Sequence, residues 1–236
     1  MTVVIDFDTT DDILFDLADD LLLQANHSGS LYVTAPASAK VGQTAILTGT
    51  SHIGAGVEFL NRGNIRADVF LQGDNSVMYN YFKVNADQGI HLDGALTILF
   101  NSGTSNGSEY GASITGSEAR LVNRGLMTGD VYGVEVLDGS DATIRNFKRL
   151  GTEGESLVAV HKSINPDAPI DTEFSGLSLN NTRFVFGDII LEGDGRDVVI
   201  NKGVIDGDIS FGGGDDVYKA QRNKNVTEDG INSVFG

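Results

Sequence analysis

The sequence predicts an all-β, right-handed parallel β-helix, and three regularities in it predict that fold. Short apolar strands repeatedly end in asparagine, a glycine keeps a nearly fixed distance ahead of that asparagine, and a second alternating strand lies between flanking glycines in most units. Self-similarity at a period of this size marks a stack of structural units in which each unit leans on its neighbours.

The strand ends are Asn61, Asn80, Asn101, Asn123, Asn146, Asn181 and Asn201, with Asn80 and Asn181 the weaker members, and the gaps between them are 19, 21, 22, 23, 35 and 20 residues. Glycine stands seven residues earlier at Gly73, Gly94, Gly116 and Gly139, and six residues earlier at Gly195. Four copies continue as Asn-Xaa-Gly: Asn61 to Gly63, Asn101 to Gly103, Asn123 to Gly125 and Asn201 to Gly203. The second strand follows in Gly89–Gly94, Gly111–Gly116, Gly133–Gly139, Gly187–Gly193 and Gly207–Gly212.

A unit of 19 to 23 residues is too short to bury an apolar face alone. Stacked at the ~4.8 Å spacing of paired strands, such units share one core and each strand pairs with its successor. The asparagines then lie above one another, where side-chain amides form a ladder. Glycine is expected at the corners because it tolerates positive φ. Leucine-rich repeats overlap the period but need a run of leucines at fixed spacing, and a left-handed hexapeptide helix needs a strict period of about 18.

Residues 1–50 are expected to form an N-terminal cap and irregular first coils, with an amphipathic helix over Asp12–Leu23 as the alternative. Residues 51–220 form the regular helix. The 35-residue gap implies an insertion near 150–175, with a strand over Glu155–Val160 and a loop over His161–Ile170, where two of the three prolines fall. Residues 221–236 read as a polar tail, and the abrupt end suggests a chain that continues.

Thirty-three Asp and Glu against 16 Lys and Arg give a net charge of −17, which repels phosphate backbones and anionic lipid surfaces. Nucleic acid is therefore not an expected partner, and the absence of a long apolar run argues against membrane insertion. No cysteine is present and the four histidines are scattered, which excludes disulfides and thiolate metal sites. A metal would have to be held by oxygen. The N-terminus lacks the basic and apolar regions of a signal peptide, so the expectation is a soluble chain without an N-terminal export signal.

Chemistry concentrates in two loops. Gly193-Asp-Gly195-Arg-Asp197-Val and Gly212-Gly-Gly214-Asp-Asp216-Val share Gly-Xaa-Gly-Xaa-Asp-Val at a separation of 19 residues, which is one coil. They resemble the calcium-binding repeats of RTX proteins, whose Gly-Gly-Xaa-Gly-Xaa-Asp-Xaa-apolar loops hold Ca²⁺ between stacked turns. The resemblance implies carboxylate ligands at Asp197 and Asp216, facing across the gap, and carbonyl ligands near Gly193, Gly195, Gly212 and Gly214, because Ca²⁺ takes six to eight hard oxygens. It covers fewer than ~30 residues, and Glu192 and Phe211 stand where the family has its first glycine.

More widely, the coils followed by Gly-Asp-Asp loops resemble the β-helical segments of large secreted bacterial proteins. That resemblance implies an extracellular location reached by a type I-like route. The lack of a clustered general acid and base in the sequence points to a structural, adhesive or ligand-binding module without catalysis, with a glycan or cell-surface ligand as its candidate partner. The alternative is a polysaccharide lyase, hydrolase or epimerase working along one face, with Glu118, Asp141 and Arg145 lining it and His161 and Lys162 beside the insertion.

Overall fold

The computed structural model describes residues 2–16, 20–34, 38–137, 140–152, 158–164, 176–221 and 231–235. It is a parallel β-helix of about 9 turns, with no helix among the described residues. Three strands per complete coil build three faces. Sheet A has 11 strands, from Thr2–Ile5 to Val217–Ala220. Sheet B starts later, at Ile46–Leu47, and ends in Val204–Ser210, which also belongs to sheet C. Sheet C runs from Ile13–Phe15 to Ile231–Phe235. Every strand pairing is parallel, as a chain wound in one direction requires.

Register follows the asparagines. Subtracting paired residue numbers along sheet A gives coil lengths of 18, 18, 20, 19, 21, 22, 23, 35, 20 and 19. The differences from Asn61 onward are those between the asparagines themselves. Within each strand the residues alternate: Leu99 and Asn101 are buried and Ile98 and Phe100 lie outside. The core is thus a set of columns, such as Phe59, Met78, Leu99, Leu121, Ile144, Leu179 and Val199, all with 0% exposure.

The column of asparagines is closed from end to end. Nδ2 of Asn61, Asn80, Asn101, Asn123, Asn146 and Asn181 each donates to Oδ1 of the next, at 2.8–2.9 Å. Each Nδ2 also donates to a main-chain carbonyl of the following coil, for example Asn123 to Arg149 O at 2.7 Å. The Oδ1 atoms of Asn61, Asn123 and Asn201 take the N–H of the glycine two residues on, at 3.0, 3.2 and 3.0 Å. Buried amides satisfied on this scale polarise one another along the chain.

Gly89, Gly187 and Gly193, which flank the second strands, have the expected positive φ (80°, 104° and 92°), but the glycines ahead of and after the asparagines act differently. Gly63, Gly73, Gly94, Gly103, Gly116 and Gly125 are absent from the positive-φ residues. They are glycine because the neighbouring coil leaves no room. A Cβ on Gly116 would lie 2.1 Å from Gly94 O, and one on Gly125 would lie 1.9 Å from Gly103 O. Positive φ falls two residues after the first glycine column, on Gly56 and then on Asn75, Leu96, Glu118 and Asp141 (φ 70°, 58°, 57°, 55° and 45°).

In the segment read as a cap and irregular first coils, with a helix as the alternative, Ile13–Phe15 and Asp20–Leu23 are strands that pair in sheets C and A. The insertion strand is Val158–Ser163, so His161 and Lys162 lie on a strand and not in a loop. Gly139, residues 153–157 and 165–175, and most of the polar tail lie outside the described residues. The tail's end, Ile231–Phe235, pairs with Val204–Ser210.

Two stability measurements check this account. Asn123→Ala removes an acceptor for Asn101 and Gly125 and a donor to Asn146 and Arg149, and urea unfolding should show a loss of roughly 3–5 kcal/mol. Gly116→Ala should destabilise by several times more than an ordinary surface change, whereas Glu118→Gly, relieving a left-handed residue, should stabilise by up to about 1 kcal/mol. Equal effects at 116 and 118 would refute the division between close approach and positive φ.

Candidate functional site

The two glycine loops stack one coil apart in close contact. Gly213 N donates to Gly193 O at 2.8 Å, and a Cβ on Gly212 would lie 2.4 Å from the same oxygen. Gly214 is held against the carbonyls of Asp194 and Gly195, with φ 110°. Arg196 Nε donates to Asp215 O at 3.3 Å.

Asp197 does not face Asp216 across an open gap. It sits at the inward position four residues before Asn201, in the column of Ala119, Ala142 and Leu177, and is 0% exposed. Its Oδ1 accepts Leu177 N at 2.6 Å. Lys162 Nζ lies 3.2 Å from Oδ1 and 3.4 Å from Oδ2. Asp216 lies one coil on, where its Oδ1 accepts Asp197 N at 2.8 Å. Burial pushes the Asp197 carboxyl above the usual aspartate range, opposed by the Leu177 N–H and the Lys162 ammonium.

Lys162 is as unusual as its partner. Strand Val158–Ser163 places Val160 and Lys162 inward and His161 outward. Lys162 pairs in register with Val136 on one side and Leu191 on the other, both core residues. A lysine in an apolar column carries a desolvation cost of several kcal/mol unless paired, and the 35-residue contact to Asp197 supplies the pairing.

The donor set carried over for calcium is therefore only partly fitting. The Asp197 carboxylate is already matched to an ammonium and a main-chain N–H, and Gly193 O is taken by Gly213 N. Asp194 and Asp215 are exposed and Asp216 is partly so; these are the carboxylates of the two loops that solvent reaches. Among the described residues no three His, Cys, Asp or Glu side chains are gathered as a metal-ligand group.

The outer face of sheet C holds a second cluster, which the sequence reading did not single out. Tyr32, His52, Phe70 and His91 occupy one register column and stack ring on ring, with centroids 4.7, 5.3 and 4.4 Å apart. The column continues through Ser113, Glu135 and His161. Glu135 Oε1 is 3.7 Å from His161 Nδ1, and the His161 ring stacks on Tyr132 at 4.5 Å. Tyr110 Oη donates to Glu109 at 2.7 Å, and burial with that bond pushes the phenol pKa up. The alternation of the second strands was the available signal, since every one of these residues is at an outward position.

The structure brings Glu118 and Asp141 to equivalent corner positions of adjacent coils, where Glu118 N donates to Ser140 O at 2.7 Å, and leaves the other sequence-based catalytic candidates apart. Glu118 and Asp141 lie at left-handed corners between sheets C and A, Arg145 on the outer face of sheet A, His161 on the outer face of sheet C, and Lys162 in the core. Comparison with protein-family models, with curated proteins and with solved structures yields no match.

His91 makes the cluster sensitive to pH. It is 8% exposed, and burial lowers its pKa from 6.5 against the opposing pull of Asp93, Asp68 and Glu109. A depressed histidine pKa means that the unfolded chain takes up a proton the folded chain refuses. Stability from this site is present above the ordinary histidine value and falls as pH drops through it. His91→Phe, which keeps the stack on Phe70, should flatten the stability profile between about pH 7.5 and 5.5; an unchanged slope would show that His91 is not its source.

Proposed function

We propose that the chain is a non-catalytic β-helical rod, a structural, adhesive or ligand-binding module of an acidic secreted protein of the RTX-like kind. The separation of the stacked Glu118 and Asp141 corner from Arg145 on sheet A, His161 on sheet C and Lys162 in the core carries this reading. Acid–base chemistry requires such groups within hydrogen-bond reach of one substrate. A continuous asparagine ladder and a core without breaks suit a rigid presenter of surface columns. The extracellular location by a type I-like route is part of the same proposal and is supported by the Gly-Asp-Asp resemblance, the acidity and the lack of cysteine.

Calcium binding is the second element of the proposal, supported by the stacking of the two loops and the solvent-accessible Asp194, Asp215 and Asp216. Asp197 serves there as the buried partner of Lys162. The competing enzymatic reading has one observation in its favour, the Glu135 and His161 pair on sheet C.

Calorimetry of the chelator-stripped protein tests the metal. Ca²⁺ should bind with a dissociation constant on the order of 10⁻⁴–10⁻³ M, and an Asp194→Ala/Asp215→Ala/Asp216→Ala variant should lose the heat. No heat at millimolar Ca²⁺ sinks the calcium element and leaves the rod. Incubation with acidic and neutral polysaccharides should release no new chain ends. Release that disappears in Glu135→Gln or His161→Ala would overturn the non-catalytic reading.

A further inference from the structure

Charge on this acidic chain is segregated. Taking the four residues after each of the seven ladder asparagines gives 28 positions, and these hold seven Lys or Arg and no Asp or Glu, in a chain with 33 carboxylates and 16 cations. They form the corner between sheets A and B. The adjoining outer face of sheet A carries Glu58 as its one carboxylate between Glu58 and Ile200. The fourth position of each set is an inward core residue such as Ile65, Val84 or Met127, whereas the seven cations lie at the other three, exposed or half-exposed, so packing does not explain the basic strip they form along the axis.

The first position of the corner has its own order. Reading up the stack, it runs Arg62, Tyr81, Ser102, then Arg124, Phe147, Thr182, with Lys202 in the next coil: cation, ring, short hydroxyl, twice over, then a cation. Two steps of the column are in contact. The Arg62 guanidinium lies over the Tyr81 ring at 6.0 Å and the Arg124 guanidinium over Phe147 at 5.5 Å. Tyr81 is 51% and Phe147 40% exposed.

A guanidinium thus lies on one side of each ring, and the next coil offers only the short side chain of Ser102 or Thr182 on the other. Between Tyr81 and Arg124 two coil spacings, roughly 10 Å, are spanned by Ser102 alone. Between Phe147 and Lys202 the same gap holds Thr182. A flat ring in van der Waals contact above and below needs about 7–8 Å, so each gap is a slot one ring thick. Phe82, 55% exposed, is flanked by Gly63 and Gly103 in its own column and lines a cavity with Gln43, Arg62 and Tyr81; Arg183 stands beside Thr182 in the second slot.

We propose that these two slots bind the acidic sugar residues of an extended, uronate-containing polysaccharide lying along the corner. The inference rests on the reading of the chain as a ligand-binding module and names its ligand class. An aromatic floor takes the apolar face of a pyranose ring, the serine or threonine hydroxyl takes a ring hydroxyl, and the cation on the far side takes the carboxylate. Arginine is suited to that last role because its fork matches a carboxylate with two bonds. The slots are three coils, about 14 Å, apart on one line, which a polymer fills and a single sugar does not. The absence of carboxylates from the strip removes the repulsion that the rest of the surface would exert on such a chain.

Oligogalacturonate, the same oligosaccharide as its methyl ester, and a single-stranded RNA are titrated in turn into the full chain in EDTA, with calorimetric detection. The acid form should bind, the ester should bind at least ~10-fold more weakly, and Tyr81→Ala/Arg124→Ser or Phe147→Ala/Lys202→Ser should each weaken binding by at least ~10-fold with an unchanged circular dichroism spectrum. No binding at millimolar oligosaccharide, equal binding of acid and ester, or full affinity in both variants overturns the proposal. Slot-dependent binding of RNA in preference to the uronate overturns the ligand class, and a slot-dependent change in sedimentation without sugar assigns the strip to a second copy of the chain instead. Cleavage of the bound sugar would refute the non-catalytic reading while leaving the slots in place.

Discussion

Coils can share a core here only if their backbones approach to the spacing of paired strands, and two columns of residues set that approach. Glycines such as Gly94, Gly116 and Gly125 bring main chain onto main chain where a single Cβ would overlap a carbonyl oxygen. The asparagines then fill the turn beside sheet A with an unbroken run of amide bonds, so that their own buried amides are satisfied. All other columns inherit their register from these two. A one-residue slip in any coil would send its asparagine outward and its outward residue into the core.

That register makes the surface a set of lines. A residue type repeated at one position becomes a stripe parallel to the axis, and the stripes differ: stacked rings and histidines on sheet C, cations and rings at the corner between sheets A and B, carboxylates elsewhere. The net charge of −17 describes the far field but not the corner, where local chemistry is positive. Long-range repulsion and local attraction of a polyanion can therefore coexist, with the first controlling approach and the second residence.

The Lys162 and Asp197 pair shows how the same rules absorb an irregularity. The coil that carries the insertion brings a lysine to an inward strand position, and the first Gly-Xaa-Gly-Xaa-Asp loop brings a carboxylate inward to meet it. Removing either would strand the other in the core, at a cost of about 3–5 kcal/mol. A motif that resembles a metal loop thereby serves packing in one coil, while the exposed aspartates of the same loops remain available to solvent.

The sequence by itself determined the fold class, the coil lengths, the asparagine column and the corner positions, because each coil repeats the same local problem and solves it with the same residues at a countable spacing. Strand parity would also have shown that Lys162 points inward. Its partner was not readable, since 35 residues separate it from Asp197 and the insertion breaks the count. Only the tertiary structure decided which repeated glycines answer crowding and which answer positive φ, that Arg145, His161 and Lys162 part from the stacked Glu118 and Asp141, and which rings the guanidinia cover along the corner. These depend on what the next coil places a few ångströms away, and coils of unequal length do not reveal that until they are stacked.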